Sequence, residues 1–203
     1  MAGNNPIEMT DLVYELHGDA VPLDYPAAIW SALVERLPWL AGEAGAGIHP
    51  LRTVSGDQRR ALLSRRSRLV LRLPRARAAE AAALPDRAIT LADETVTVGE
   101  ARERPITPWP TLNALFVASG SANEADFETE MRAAIAELGP RVRLICGRRQ
   151  TRALGEQTVN GASIVLHDLD PDTSLNLQYS GLGPLRQYGC GIFVPHKIIS
   201  GIY

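Results

Sequence analysis

A cluster of prolines divides the sequence into two halves that repeat one order of predicted elements. Pro105, Pro108 and Pro110 interrupt the pattern of strands and helices, and such interruptions are typical of domain boundaries. On each side of the cluster, the alternating and helical apolar patterns predict the order β-α-β-β-α-β. This is the order of the ferredoxin-like (RRM-like) fold, a split βαβ sheet with two helices on one face. We therefore predict an α+β protein with tandem ferredoxin-like domains at 1–108 and 109–203.

In the first half, the strand and helix signals are well separated. Residues 11–16 alternate in part and predict a strand, and Asp24 is a good N-cap for the helix that follows. Residues 48–52 predict an irregular strand start, residues 68–73 predict a further strand, and the alanine-rich stretch 75–84 predicts a helix. Two β-prone pieces within 88–98 predict a hairpin.

The second half gives the same order with one ambiguous segment. Ser121 and Glu124 form a capping box, S-x-x-E, that predicts the start of a helix, and Gly139-Pro140 is expected to stop it. Segment 172–179 fits either a strand or a short helix, because alternating leucines follow an aspartate that suits an N-cap. The predicted strands of this half are the apolar runs 112–118, 142–146, 163–167 and 189–194.

Composition excludes several classes of protein. The 203 residues are 45% hydrophobic, which is enough for a core and argues against disorder. No run of about 18 apolar residues is present, so we expect no membrane-spanning helix. The first six residues hold neither a basic region nor an apolar run, which predicts a cytoplasmic protein without a secretory signal. Cys146 and Cys190 are too few for a disulfide scaffold or a four-cysteine zinc site, and we expect both to be small buried residues.

Arginine is strongly preferred over lysine and is clustered. The chain has 20 arginines and one lysine, Lys197. Eight arginines lie between Arg59 and Arg77 without an acidic residue among them, and a second group lies between Arg141 and Arg152. Because a guanidinium binds phosphate with two parallel hydrogen bonds, these groups indicate an anionic partner. Solvated faces in an arginine-rich protein would look the same, and the charge pattern alone leaves both interpretations open.

A glycine-rich segment at 181–191 is the most informative motif. It holds Gly181, Gly183, Gly189 and Gly191. It is not the dinucleotide fingerprint G-x-G-x-x-G, because Arg186 occupies the third glycine position. Backbone N–H groups of such a loop can cradle an anion, with Arg186 as a phosphate contact and Tyr188 as a stacking surface for a base. The alternative is a connection in which glycine merely permits close packing.

This segment, continued through Ile-Phe-Val-Pro-His-Lys at 192–197, resembles the C-terminal glycine-rich signature of the RAMP superfamily. More narrowly, it is similar to the CRISPR-associated repeat-processing endoribonucleases of the Cas6 family, in their short MYXAN-subtype branch. Further resemblance lies in Gly47-Ile-His-Pro-Leu51, in Leu144-Ile-Cys-Gly-Arg148 and in the helix predicted from Tyr25 to Trp39. Together these segments cover most of the chain.

The resemblance implies tandem ferredoxin-like domains and an RNA substrate, the repeat of precursor CRISPR RNA. It implies cleavage without metal or other cofactor, in which the ribose 2′-OH attacks the adjacent phosphate. The products would be a 2′,3′-cyclic phosphate and a 5′-OH. It also implies that the protein stays on the crRNA hairpin and joins other Cas proteins in a Cascade-type complex.

Histidine is the usual acid or base for this chemistry near neutral pH. His49 matches the placement of the catalytic histidine in relatives, just after the first helix, and Arg52 would take the place of their phosphate-stabilising lysine. His17 ends the first strand, where it would face the same cleft, and is the second candidate. His196 belongs to the C-terminal signature and is expected to contact RNA or anchor the last strand, while His167 is expected to pack.

The predicted RNA contacts come from both arginine groups and the glycine-rich segment. They are Arg59, Arg60, Arg65, Arg66, Arg68, Arg148, Arg149, Arg152, Gly181, Gly183, Arg186, Gly189, Gly191, His196 and Lys197. Two other functions remain open at this point. The same fold can hold crRNA as a non-catalytic structural subunit of an interference complex, or it can bind a small anion.

Overall fold

The computed structural model describes residues 7–57, 59–84, 87–121, 123–137, 142–155 and 157–196. The chain folds into two compact units. The first comprises residues up to Ile106 together with Ala153–Thr158 and Arg186–Gly189, and the second comprises the remainder. A single boundary in the sequence therefore does not separate the two units, and the predicted domain limits 1–108 and 109–203 stay a prediction.

The first unit contains eight strands and two helices among the described residues. The strands are β1 (Met9–His17), β2 (Ala20–Pro22), β3 (Gly47–Ile48), β4 (Val54–Ser55), β5 (Arg60–Leu62), β6 (Arg68–Pro74), β7 (Ala88–Leu91) and β8 (Glu94–Pro105). The helices are α1 (Tyr25–Arg36) and α2 (Ala78–Ala82), and 3-10 turns lie at Pro38–Gly42 and Arg75–Arg77. The predicted strand at 11–16, the helix after Asp24 and the hairpin within 88–98 are confirmed.

The main sheet of this unit has the order β3-β6-β1-β8-β7, and every neighbouring pair is antiparallel. Taken along the chain as β1-α1-β3-β6-α2-β8, these elements give the split βαβ arrangement of a ferredoxin-like domain. Strands β2, β5 and β4 form a separate three-stranded sheet in that order. These three short strands are insertions relative to the predicted six elements.

The core of the first unit lies between one face of the main sheet and α1. Leu12, Tyr14 and Leu16 of β1 point to this face, and Ile29 and Leu33 of α1 pack into the same cluster. Tyr14 is buried with its hydroxyl donating a hydrogen bond to the Ala81 carbonyl at 2.8 Å, so the one polar atom of this core position is satisfied. Because successive side chains of a strand point to opposite faces of the sheet, the odd-numbered residues of β1 lie on the face opposite the core.

The second unit repeats the arrangement. Its strands are β9 (Leu112–Ser119), β10 (Arg143–Leu154), β11 (Gln157–His167) and β12 (Val194–Pro195), and its helices are α3 (Glu124–Ala136) and α4 (Pro171–Ser180). A 3-10 turn, Arg186–Tyr188, precedes β12. The sheet order is β10-β11-β9-β12, again the split βαβ order. The predicted tandem ferredoxin-like fold is confirmed.

Two helix starts in this unit differ from the sequence patterns. The predicted capping box of Ser121 and Glu124 is wrong, because α3 begins one residue after Asn123, whose side chain accepts from the Asp126 N–H at 3.0 Å. The ambiguous segment 172–179 is helical, and Asp170 caps it by accepting from two backbone N–H groups. The predicted stop at Gly139-Pro140 lies outside the described residues.

Neither unit holds, in its described residues, a helix with the length and apolarity to cross a membrane. Cys190 is buried and Cys146 is partly buried. Burial raises the pKa of the Cys190 thiol to about 11, which keeps it protonated at neutral pH. Cys190 thus behaves as the expected small buried residue, while Cys146 is only partly covered.

Candidate active site

A row of charged side chains crosses the face of the first unit's sheet that lies opposite the core. Asp11 of β1 is in register with Arg72 of β6 on one side and with Arg104 of β8 on the other. His49 follows β3, the strand that pairs with β6 at the sheet edge. We call these four residues, His49, Arg72, Asp11 and Arg104, the Asp11 row.

Asp11 is the centre of this row, and both of its carboxylate oxygens are used. Oδ1 accepts from Arg72 Nε at 2.7 Å and lies 3.1 Å from His49 Nε2. Oδ2 accepts from Arg72 Nη2 at 3.1 Å and from Arg104 Nη2 at 2.9 Å. The Asp11 and Arg72 side chains are 4% and 1% exposed, whereas Arg104 is 54% exposed. The row therefore contains a buried ion pair between Asp11 and Arg72, and a solvent-exposed arginine, Arg104, at its β8 end.

His49 is held at both its backbone and its ring. Its N–H donates to the Val70 carbonyl at 2.8 Å, which continues the pairing of β3 with β6. Its side chain is 10% exposed. Burial raises the pKa of Asp11, but the hydrogen bonds from His49 and Arg72 and the charge of Arg72 outweigh this and hold it well below its usual range. Asp11 is thus a carboxylate that only accepts, so His49 Nε2 carries the proton and donates to it.

The protonation state of His49 follows from the same surroundings. Burial and the nearby Arg72 guanidinium lower the pKa of His49 to about 4, against the opposing effect of Asp11. The ring is therefore neutral at pH 7. With Nε2–H committed to Asp11, the lone pair lies on Nδ1, which is the nitrogen that can accept a proton as a general base.

Two glycines, Gly47 and Gly189, permit residues 186–189 of the first unit to lie close to the segment that carries His49. A Cβ built on Gly47 would lie 2.2 Å from the Arg186 carbonyl oxygen. A Cβ on Gly189, whose φ is +87°, would lie 2.9 Å from the Ile48 carbonyl oxygen. Any side chain at these positions would force the two segments apart. Segment 186–189 of the glycine-rich motif and the G-I-H-P motif thus belong to one structural site around His49.

Arg186 takes part in this packing from the interior. It is 6% exposed, and its Nε donates to the Gly45 carbonyl at 2.8 Å. Burial and the proximity of Arg72 lower its pKa to about 9, so it stays positively charged at pH 7. The expectation that Arg186 offers a surface contact to phosphate is at odds with this burial. Its observed role is to fix the segment that follows α4 against residues 45–47.

The structure does not bring the other two catalytic candidates into the Asp11 row. The Arg52 side chain is exposed and makes no ion pair within the described residues, while its carbonyl accepts from Ser67 Oγ at 2.6 Å. His17 lies six residues from Asp11 on β1, which is about 20 Å along a strand. It is 64% exposed and lies 3.5 Å from Glu15. His17 therefore belongs to the opposite end of the strand from His49.

The C-terminal candidates lie in the second unit or outside the described residues. The His196 N–H donates to the Thr111 carbonyl at 2.9 Å, which extends the pairing of β12 with β9. His167 Nδ1 lies 3.2 Å from Thr111 Oγ1. Lys197 lies outside the described residues. The observed contact of His196 matches the strand-anchoring alternative, and its RNA contact stays a prediction.

The first arginine group is exposed but partly paired. Arg60 forms ion pairs with Asp57 at 3.0 Å and Glu94 at 3.1 Å, beside a cavity of about 630 Å³. Arg59 lines the same cavity. Arg68 Nη1 donates to the carbonyls of Arg65 and Ser67, both at 2.8 Å. The exposed members without an acidic partner in the described chain are Arg59, Arg65, Arg66 and Arg68.

The second arginine group divides between solvent and packing. Arg148 is exposed. Arg149 Nη2 donates to the Ser121 carbonyl at 3.0 Å, and the Arg152 guanidinium lies 4.4 Å from the centre of the Phe116 ring. Arg141 lies outside the described residues. Arg149 and Arg152 therefore also have structural roles in the second unit, and the RNA contact of this group stays a prediction.

The remaining signature glycines serve close packing within the second unit. Gly181, Gly183 and Gly191 all have positive φ, between +65° and +75°. A Cβ on Gly183 would lie 2.7 Å from the Ala118 carbonyl oxygen, and one on Gly191 would lie 1.9 Å from the Leu182 carbonyl oxygen. Gly183 and Gly191 therefore permit close packing, whereas Gly181 ends α4 and donates its N–H to the Leu177 carbonyl at 2.9 Å. A direct RNA contact of these glycines stays a prediction.

Sequence reasoning did not find the three partners of His49. Asp11, Arg72 and Arg104 are separated by 61 and 32 residues in the chain, and each lies in a predicted or observed strand where charge usually marks the solvent face. The sequence offered one indication that Asp11 and Arg72 are partners. Each interrupts an otherwise apolar strand, and the ferredoxin-like order of elements places these two strands side by side.

Comparisons with known structures identify the class of fold. A structure described as an RAMP protein binding different RNA substrates superposes with a TM-score of 0.65 at 10% identity, covering 91% of this chain and 98% of that one. A second, described as CRISPR associated protein Cas6, superposes with a TM-score of 0.61 at 13% identity, covering 94% and 100%. The fold is that of the RAMP proteins.

Sequence comparison narrows the class to one family. The family model described as Cas6 Crispr matches residues 10–198. The chain is 32% identical to the CRISPR-associated endonuclease Cas6 of Myxococcus xanthus (strain DK1622) over 192 residues, which is 94% of this chain and 83% of that protein. The chain therefore belongs to the Cas6 family.

Proposed function

We propose that this protein is an endoribonuclease that cuts the repeat of precursor CRISPR RNA, with His49 as its general base. The observation that carries the proposal is the setting of His49: a neutral ring that is oriented by Asp11, in a segment that packs closely against residues 186–189. Its Myxococcus xanthus relative is named an endonuclease, and the RAMP protein of similar fold is described as binding RNA.

The reaction uses groups that the chain itself provides. His49 Nδ1 takes the proton of the ribose 2′-OH, and the 2′-oxygen attacks the adjacent phosphorus in line. The bond from phosphorus to the 5′-oxygen breaks, and that oxygen receives a proton from the imidazolium or from water. The products are a 2′,3′-cyclic phosphate and a 5′-OH, and no step requires a metal ion. Hydrogen bonding of Nε2–H to Asp11 stabilises the imidazolium as it forms.

The exposed arginines are proposed to bind the RNA backbone. Arg65 and Arg66 of the first group and Arg148 of the second group are exposed. Phosphate contacts of this kind give affinity that falls with salt. The double substitution Arg148→Ala with Arg149→Ala is expected to weaken RNA binding and to flatten its dependence on salt. A salt slope equal to that of the wild-type protein would remove this cluster from the RNA-binding surface.

The second proposal concerns the product. Retention of the cleaved crRNA hairpin would make the protein a subunit of a Cascade-type complex as well as its processing enzyme. The alternative function is a structural subunit that binds crRNA without cutting it. The neutral His49 ring favours the enzyme, because it supplies the base that cleavage by the 2′-OH requires.

The test uses the cognate repeat RNA in EDTA. The wild-type protein, His49→Ala and the matched control His167→Ala are each incubated with the RNA, and with RNA bearing one 2′-deoxy substitution at the scissile nucleotide. We expect cleavage by the wild-type and His167→Ala proteins alone, and only of the unmodified RNA. Undiminished cleavage by His49→Ala would overturn the assignment and redirect it to His17 or His196. Tight binding without cleavage by the wild-type protein would support the structural subunit.

A further inference from the structure

We infer that Arg104 is a catalytic residue that contacts the scissile phosphate and neutralises the negative charge that develops on it. The inference rests on the proposed ribonuclease function of His49. It differs from the expectation drawn from the family resemblance, in which the neighbouring cation is Arg52.

The positions of His49 and Arg104 support this role first. Asp11 binds the His49 ring through Oδ1 and the Arg104 guanidinium through Oδ2. The base and the cation are thus attached to the two oxygens of one carboxylate. A phosphate and its flanking ribose are large enough to meet both groups at once, with the 2′-OH at His49 and a non-bridging oxygen at Arg104.

The second support is accessibility. Arg72 is bound to Asp11 through both Nε and Nη2 and is 1% exposed, so it is not presented to a substrate. Arg104 is 54% exposed, and its one ion pair within the described residues uses Nη2 alone. More than half of the Arg104 side chain is therefore open to solvent and available to a ligand. Asp11 also fixes the orientation of the guanidinium, which lowers the entropy cost of binding phosphate.

The third support is the charge balance of the site. Within the row, the Asp11 carboxylate is shared by two guanidiniums, since Arg72 and Arg104 both bind it. His49 adds no charge at pH 7. A phosphate bound at Arg104 would bring a further negative charge to the exposed end of the row, and its attraction to Arg104 would grow as the phosphorane gains charge.

The experiment measures cleavage and binding separately. Repeat RNA is cut under single-turnover conditions with saturating protein, and the dissociation constant is measured on 2′-deoxy RNA that cannot be cut. The variants are Arg104→Ala and Arg104→Lys. The matched control is Arg102→Ala, an exposed arginine two residues earlier on the same face of β8. Thermal melting of each variant checks that the fold is retained.

We expect Arg104→Ala to lower the saturated cleavage rate by about a hundredfold or more, which is the usual effect of removing one donor to a developing anion. Arg104→Lys should recover part of this loss, and Arg102→Ala should cut at close to the wild-type rate. Replacing a non-bridging oxygen of the scissile phosphate with sulfur should slow the wild-type protein for one diastereomer, and Arg104→Ala should lose that discrimination.

The outcomes separate this inference from the function on which it rests. A saturated rate within about threefold of wild type for Arg104→Ala, while His49→Ala is inactive, would overturn the role of Arg104 alone. The role of Arg104 would also be overturned if Arg104→Ala and Arg102→Ala lost equal cleavage activity and both recovered the wild-type rate at saturating protein. Both arginines would then act only in RNA binding. An absence of cleavage by the wild-type protein would overturn both proposals.

Discussion

The buried His49 ring makes the stability of this protein depend on pH. In the unfolded chain the ring binds a proton with its ordinary pKa of 6.5, whereas in the folded protein burial lowers the pKa to about 4. Between these values the unfolded state holds one more proton, so acidification favours unfolding. Since a pKa difference of one unit corresponds to about 1.4 kcal/mol, excluding this proton changes the free energy of unfolding by about 3 kcal/mol. This stability is fully present above pH 6.5 and is lost as the pH falls toward 4.

Urea unfolding followed by tryptophan fluorescence measures this contribution. The free energy of unfolding is compared between about pH 7 and about pH 4, which stays above the ordinary pKa of 3.8 for Asp11. His49→Gln should lose about 3 kcal/mol of the pH dependence seen in the wild-type protein. His17→Gln, which removes an exposed histidine, should keep it. Parallel curves for the wild-type and His49→Gln proteins would refute the reasoning, because they would show that folding does not exclude a proton from His49.

Three further predictions follow from the geometry. Single-turnover cleavage of repeat RNA should be level from about pH 6 to about pH 8 and should fall below about pH 5, because only neutral His49 acts as a base; a rate that rises on acidification would make it the acid. Gly47→Ala, whose Cβ would lie 2.2 Å from the Arg186 carbonyl oxygen, should lower the free energy of unfolding by about 2 kcal/mol or more. Gly42→Ala has open space and should change it by less than about 1 kcal/mol, and equal effects of the two would contradict the packing argument. Asn123→Ala removes the cap of α3 and should cost about 1 kcal/mol in the same urea assay, whereas no change would show that another group caps this helix.

The order of elements was predictable because it rests on local apolar patterns. The β1 strand and the buried stripe of α1 follow from alternation and from helical spacing within about a dozen residues. The same reasoning left α4 ambiguous, since its leucines alternate as they would in a strand. What decides for a helix is the Asp170 side chain, which satisfies the N–H groups of Asp172 and Thr173. That cap is visible in the sequence only after the helix start is known.

The site was predictable only in part, for a physical reason. His49 stood out through its glycine-rich flank and its resemblance to relatives. Its partner Asp11 lies 38 residues away, and a carboxylate in a strand is ordinarily expected at the surface. Burial of this carboxylate depends on Arg72, which arrives through the antiparallel pairing of β1 with β6. Pairing across a sheet is a long-range property, and one sequence does not specify which charges it brings together.

The inclusion of residues 186–189 in the first unit has a consequence for synthesis on the ribosome. An ordinary N-terminal domain is made as one continuous stretch, but this unit includes a segment that begins eighty residues after residue 106. At about 5–20 residues per second, that stretch takes on the order of 4 to 16 s to translate. During this interval the nascent first unit lacks the segment that packs against Gly47 and Ile48. The setting of His49 is therefore completed only after residues 186–189 have been made, and a translation product that stops before them would carry the histidine without this packing.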